Sequence, residues 1–123
     1  MMLNEMDIRQ IVERVVTLCD PESVRVCGSY ATGAAHAGSD LDLLIILPSA
    51  LPRWHRGKVL KNALSVFPCH FDLLIFTPQE VAEEMKDPYS FISAIMSSGK
   101  LAYQKTQGYV EFGPLSYSSS GGV

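Results

Sequence analysis

The chain predicts a small α/β domain of the α+β kind, a mixed β-sheet flanked by helices. Helical and strand periodicities alternate along the sequence, and each strand-sized apolar run is bracketed by Gly, Pro, Asp or Ser. The 123 residues, 47% apolar and 19% charged, suffice for one core rather than two.

Asn4 caps a first helix, with Asp7 three residues on favouring its positive end. Ile8, Ile11, Val12, Val15, Val16 and Cys19 recur at helical spacing, and Asp20-Pro21 stops the pattern. Ser23 to Cys27 alternates around Val24 and Val26 as a strand. The segment GSYATGAAHAGSD opens a helix after Gly28-Ser29 and leads to a buried strand over Leu41 to Leu47, closed by Pro48. Arg53 to Phe67 reads as a second amphipathic helix, with Trp54, Val59, Leu60, Ala63, Leu64 and Phe67 turned inward. Phe71 to Phe76 is a third strand. Thr77-Pro78-Gln79-Glu80 is a capping box with Pro at the first helical position. Asp87-Pro88 starts a further helix that ends near Ser98-Gly99, and Leu101 to Gln104 forms a last short strand. Residues 1–112 are read as one domain. Residues 113–123, GPLSYSSSGGV, are read as a Ser/Gly-rich mobile tail.

Composition excludes several classes. The net charge of −3 disfavours a protein that coats duplex nucleic acid. No apolar run approaches the roughly 20 residues of a membrane span, and MMLNEMDIRQ is not a signal peptide. Three separated cysteines, Cys19, Cys27 and Cys69, argue against a disulfide framework and for a reduced, cytoplasmic protein with Cys as apolar filler.

The chemistry lies between Val26 and Phe76. Gly28 lets a backbone come close to a ligand, and Ser29 brings a hydroxyl and an N–H to a helix start, where anions bind. A plain tight turn is the alternative reading of Gly-Ser. In Asp40-Leu41-Asp42 the two acids point to one face of a strand, roughly 7 Å apart, and Leu41 and Leu43 to the other. Such acids repel unless a cation joins them, and oxygen-only ligation suits Mg²⁺ or Mn²⁺. Two solvated acids at a strand edge are the competing reading. Asp72, in FDLLIF, repeats the surroundings of Asp42 in DLLIIL, so neighbouring strands would bring all three acids together. Three carboxylates around two cations equip a site for phosphoryl transfer, with Asp72 bridging to an attacking hydroxyl or acting as its base. A strand-end cap is the alternative for Asp72.

Gly28-Ser29, then Asp40-x-Asp42, then a later strand Asp, resembles the nucleotidyltransferase superfamily typified by DNA polymerase beta. The run GSYATGxAxxxSDLDLLI resembles its minimal nucleotidyltransferases. The likeness covers Val24 to Phe76, with a similar ending around Ile92 to Tyr103. It implies nucleotide and phosphate contacts at Gly28, Ser29, Gly33 and Ser39. It also implies two Mg²⁺ (or Mn²⁺) ions at Asp40, Asp42 and Asp72, and transfer of AMP from ATP to an acceptor hydroxyl. Minimal members are commonly encoded beside a HEPN-type toxin that they adenylylate, so the resemblance further implies a HEPN-type partner and an antitoxin role. The alternative is a catalytically weak or inactive module of the same fold that neutralises or scaffolds such a partner. An antibiotic-modifying transferase would need more chain for its acceptor.

The sequence departs from the family at one place: Thr32 precedes Gly33 where many members have a basic residue. Arg53, Arg56, Lys58 and Lys61 could supply the missing charge or form a solvated helix face. His70 shares the Asp72 face, where it meets a phosphate or simply solvent; His36 reads as a solvated loop residue. Trp54 could stack on a base but is assigned first to the core or an interface, and Tyr30 to packing. Phe91, Ile92 and Ile95 serve a dimer, a partner helix or the domain's own core.

Overall fold

The computed structural model describes residues 2–110. Ten elements follow in order: α1 (Glu5–Cys19), β1 (Ser23–Cys27), α2 (Ser29–Thr32), β2 (Leu41–Ile46), α3 (Lys58–Ala63), β3 (Phe71–Phe76), α4 (Pro78–Glu84), α5 (Phe91–Ser98), β4 (Lys100–Gln104) and β5 (Gly108–Tyr109). The Ser/Gly-rich segment 113–123 lies outside the described residues.

Local chemistry sets the first boundaries. The Asn4 side chain accepts from the Asp7 N–H at 2.8 Å, and the Asp7 carboxylate accepts from the Asn4 N–H at 2.9 Å. This reciprocal pair satisfies two donors at the start of α1. The helix ends at Asp20, in the left-handed region at φ 47°, and Pro21 cannot continue it. The same device opens α4: Thr77 Oγ1 accepts from the Glu80 N–H at 3.1 Å while Glu80 accepts from the Thr77 N–H at 2.9 Å.

The strands form one mixed sheet in the order β3-β2-β1-β4-β5. β2 and β3 run parallel, and the other neighbours run antiparallel. Period-two alternation sends the two sides of each strand into separate cores. Val24, Val26, Leu41, Leu43, Ile45 and Ile75 pack with Ile8, Ile11, Val12 and Val15 of α1 and with Leu60 and Leu64. Cys27, Leu44, Ile46 and Phe76 pack with Val81, Ile92 and Ile95 of α4 and α5. Each such aliphatic side chain contributes about 1.5–3 kcal/mol on full burial. Among the described residues no helix is long and apolar enough to cross a membrane.

Two expected elements differ and one strand is added. The helix expected over Arg53 to Phe67 is broken into a 3₁₀ turn at Arg53–His55, α3, and a second 3₁₀ turn at Leu64–Val66. Pro52 and Gly57 weaken that stretch. Arg56 then draws its start out of line: its guanidinium donates to the Leu51 carbonyl at 2.8 Å, to the Ile75 carbonyl at 3.1 Å and to both Glu80 oxygens at 2.6 and 3.1 Å. Leu60 and Leu64 are buried as expected, but Trp54 and Val59 are 77% and 78% exposed. The helix expected from Asp87-Pro88 begins instead at Phe91. Ser90 caps it, accepting from the Ser93 N–H at 3.1 Å. The short strand β5 was not expected. Its Tyr109 ring lies under the Arg9 guanidinium at 4.1 Å.

Candidate active site

The elements converge on one end of the sheet. β1 finishes there with Cys27-Gly28, while β2 and β3, being parallel to each other and antiparallel to β1, both begin there. The register places Asp42 opposite Asp72 on one side and opposite Cys27 on the other. Neighbouring strands lie about 4.8 Å apart, so the two carboxylates stand side by side on the α4/α5 face. Asp40 immediately precedes β2 and is exposed, as is Asp72; Asp42 is half-buried. The adjacency expected of the Asp42 and Asp72 strands is therefore present.

Gly28 has φ 66° and ψ −147°, a conformation essentially reserved for glycine. A Cβ here would collide with Asp42 Oδ2. The group that comes close to this glycine is thus the site's own carboxylate, which the turn seats at the end of β1. Burial raises the Asp42 pKa above its ordinary value, and the Asp72 and Asp40 charges raise it further. The three acids share one field even though Asp40 lies outside the strand.

Among the described residues no three His, Cys, Asp or Glu side chains are gathered tightly enough to hold an ion by themselves. The donor set nevertheless fits Mg²⁺ or Mn²⁺: all three ligand groups are carboxylates, and such ions commonly take one or two carboxylates with the remaining oxygens from water and substrate phosphates.

Other residues of the loop have structural work. α2 is a single turn, so the expected helix start offers its N–H groups with little macrodipole behind them. Gly33 closes it at φ 81°, its N–H donating to the Ser29 carbonyl. The Ser39 hydroxyl oxygen accepts from the His36 N–H at 2.9 Å, and His36 Nδ1 accepts from the Gly38 N–H at 3.1 Å, so both side chains brace the loop before Asp40. Tyr30 is buried, and its hydroxyl accepts from the Leu3 N–H at 2.9 Å. Cys27 is a buried filler whose thiol is pushed up to about 11, chiefly by burial.

The basic cluster divides. Arg56 is bound to Glu80 and holds the end of β3. Arg53 lies over the Phe76 ring at 4.6 Å. Lys61 lines a cavity of about 480 Å³ together with Asp40, Ser65, Cys69, His70 and Phe71. A second cavity, about 560 Å³, runs along β3, the edge strand, between Trp54 and Phe91 and past Leu74 and Phe76. Ile92 and Ile95 are buried, whereas Phe91 is 62% exposed. The sequence had marked Lys61 only as one of four cations; its place beside Asp40 depends on the fold of residues 58–71.

Residues 8–101 match the family model of the nucleotidyltransferase domain. Among curated proteins none matches the chain. A Sulfolobus solfataricus protein classed as a nucleotidyltransferase superposes with a TM-score of 0.59 at 19% identity, covering 84% of this chain and 82% of that one. A chain of a toxin-antitoxin structure containing AMP-PNP superposes with a TM-score of 0.53 at 18% identity, covering 76% of this chain and 70% of that one. At these identities the two structures establish a shared fold. The match over most of the chain carries the assignment: the protein belongs to the nucleotidyltransferase domain family.

Proposed function

We propose that the chain transfers a nucleoside monophosphate, AMP from ATP, to an acceptor hydroxyl. The pairing of Asp42 with Asp72 beside the Gly28 turn supports this reading most directly. A pure scaffold gains nothing from like charges held in adjacent register, and such pairs cluster where charge is used. Gly28, Ser29, Gly33 and Ser39 would line the phosphate side; the Gly33 and Ser39 N–H groups are taken by the Ser29 and His36 carbonyls, so backbone donors toward the triphosphate would come from the start of α2. Asp40, Asp42 and Asp72 would hold Mg²⁺ or Mn²⁺, which when bound neutralises the carboxylates and the phosphate oxygens. The acceptor oxygen bonds to the α-phosphorus as the bond from that phosphorus to the bridging oxygen breaks. Pyrophosphate leaves with the bond's electron pair, and the hydroxyl proton passes to the Asp72 carboxylate.

The acceptor arrives from the open side of β3. The described chain offers no separate acceptor domain, so a second protein would present the hydroxyl. A HEPN-type partner is the reading supported by the sequence resemblance, and the toxin-antitoxin neighbour makes a partner of that kind reasonable. The exposed Trp54 and Phe91 border this edge and could meet a partner or a second copy of the chain. The competing reading, a non-catalytic neutralising module, draws on one observation: Thr32 leaves the loop without a cation.

Label transfer from α-³²P-ATP with Mg²⁺ or Mn²⁺ into cell lysate tests the proposal. Labelled protein is expected with the wild type and none with Asp40→Asn/Asp42→Asn. Absence of label, with a captured partner bound equally by both forms, would favour the non-catalytic module.

A further inference from the structure

We propose that the acceptor hydroxyl is carried on an extended segment of its protein that pairs antiparallel with the open edge of β3, the hydroxyl residue lying opposite Asp72; this rests on the nucleotidyl-transfer reading above. The backbone defines the edge. β2 and β3 are parallel, and the Leu41 and Leu47 N–H groups donate to the His70 and Phe76 carbonyls at 2.9 and 3.0 Å. Even-numbered residues of β3 therefore turn their N–H and C=O groups toward β2, and Phe71, Leu73 and Ile75 turn theirs outward. β3 is the last strand on that side of the sheet. Among the described residues, the N–H and C=O of Phe71 and Leu73 and the Ile75 N–H have no hydrogen-bond partner. Such a row is a template for one more strand. Arg56 limits its length, because its guanidinium already donates to the outward Ile75 carbonyl at 3.1 Å.

Register connects this edge to the chemistry. An antiparallel strand exchanges hydrogen bonds with Phe71 and Leu73, which leaves Asp72 in a non-hydrogen-bonded pair. That kind of pair brings the backbones closest, about 4.5 Å between Cα atoms. Directly opposed side chains share a face. The incoming hydroxyl therefore stands with the exposed Asp72, on the face where Leu74 and Phe76 also lie. Its oxygen bonds to the α-phosphorus, its proton passes to the Asp72 carboxylate, and pyrophosphate leaves with the electron pair. Two residues before the hydroxyl, the segment's next side chain on that face falls opposite Leu74. There the cavity of about 560 Å³ lies between Trp54 and Phe91, ready for an apolar anchor.

A second copy of the chain fits this edge poorly in each symmetric register that engages both Phe71 and Leu73. Centred on Asp72, the pair sets one Asp72 directly against the other, like charge on like charge. Centred on Leu73, it needs the Ile75 carbonyl that Arg56 holds. Centred on Phe71, it needs the Cys69 N–H, which donates to the Phe67 carbonyl at 2.9 Å. A segment of another protein carries none of these conflicts.

The test starts from a pool of short, Trp-free peptides with Ser, Thr or Tyr fixed at the centre and random flanks. Incubated with the full chain, α-³²P-ATP and Mg²⁺, it should yield labelled members with an apolar residue two positions before the hydroxyl. A labelled peptide is then remade with single backbone N-methyl groups. Its binding is followed without nucleotide through the fluorescence of Trp54, the chain's single tryptophan. Methylation of either residue flanking the hydroxyl residue should weaken binding about tenfold, by removing the donor to the Phe71 or Leu73 carbonyl. Methylation of the hydroxyl residue itself, whose N–H points away from β3, should leave binding near that of the unmodified peptide. Phe91→Ala should raise the KM for the peptide and not for ATP. Equal effects at all three positions would overturn the added strand, and the reverse alternation would overturn its antiparallel register. Label in a lysate protein but in no peptide would overturn the proposal while leaving nucleotidyl transfer intact. No label in pool or lysate would remove the transfer reading and this proposal with it.

Discussion

The two ends of β3 hold charge in opposite ways. Where the strand stops, the Arg56 side chain is only 6% exposed and meets both Glu80 oxygens, the Ile75 carbonyl and the Leu51 carbonyl. Glu80 is held down to about 2, first by the Arg56 hydrogen bonds and then by the Thr77 N–H. Where the strand starts, Asp72 faces Asp42, and among the described residues no Lys or Arg forms an ion pair with either. There burial and like charge push Asp42 upward instead. One end is closed electrostatically and serves the fold. The other is left unbalanced by the protein's own groups, as a site awaiting charged ligands would be.

The largest expected effect comes from breaking the unbalanced end. Asp42→Asn or Asp72→Asn should lower label transfer about a thousandfold, within the range for loss of an acid–base group or metal ligand. Neither substitution should lower stability, because each removes a repulsion. Urea denaturation run beside the transfer assay checks both halves. A variant that loses transfer only because it unfolds would place these acids with the structural residues.

Next is the closed end. Arg56→Met should cost about 2–3 kcal/mol in urea denaturation, since it leaves two carbonyls and a carboxylate short of donors. Glu80→Gln should cost less, because that side chain can turn to water. Transfer per folded molecule should persist in both. An equal loss of transfer in Arg56→Met would show that the two ends of β3 are coupled.

Gly28 links backbone to chemistry. Gly28→Ala should cost about 2 kcal/mol from its positive φ, with a further penalty from the collision with Asp42. Asp42→Ala removes the colliding oxygen, so the double variant should be less damaged than the sum of the singles. Strict additivity would mean that the seat between Gly28 and Asp42 does not matter.

These contrasts also explain what could be read before the structure. The pairing of Asp42 with Asp72 was legible because the repeated Asp-Leu-Leu-Ile entry is a local pattern that the parallel register preserves, whereas Asp40, expected on the same strand face, lies just before β2. The Thr77 capping box was legible for the same reason: all its partners lie within four residues. Arg56 was not legible, because its partners Ile75 and Glu80 are distant in sequence. That hidden clamp is part of why the helix expected from Arg53 breaks and why Trp54 faces solvent. The start of α5 was misplaced because Asp87-Pro88 and Ser90 are both good openings. The choice fell to Ser90, whose hydroxyl also donates to the Glu84 carbonyl at 2.8 Å. Gly28 was expected to admit a ligand, and nothing local indicated that the neighbouring carboxylate would lie against it.

The smallest effect, and the sharpest separation of the two ends, is in pH dependence. Glu80 has its pKa depressed from 4.5 to about 2, so its contribution is present above 4.5 and is lost as pH falls toward 2. The stability advantage of wild type over Glu80→Gln should therefore shrink on acidification. Asp42 has its pKa raised above 3.8, so the folded state binds a proton more readily than the unfolded one. Its unfavourable contribution is absent below 3.8 and grows as pH rises through the raised value. Asp42→Asn should accordingly gain on wild type as pH rises, and saturating Mg²⁺ with nucleotide should reverse that gain by stabilising only the wild type. Denaturation curves of the three proteins at stepped pH would show one gap closing with acid and the other opening with base. A pH-independent gap for Asp42→Asn would mean that neither burial nor the Asp72 and Asp40 charges act on its carboxylate in the folded state.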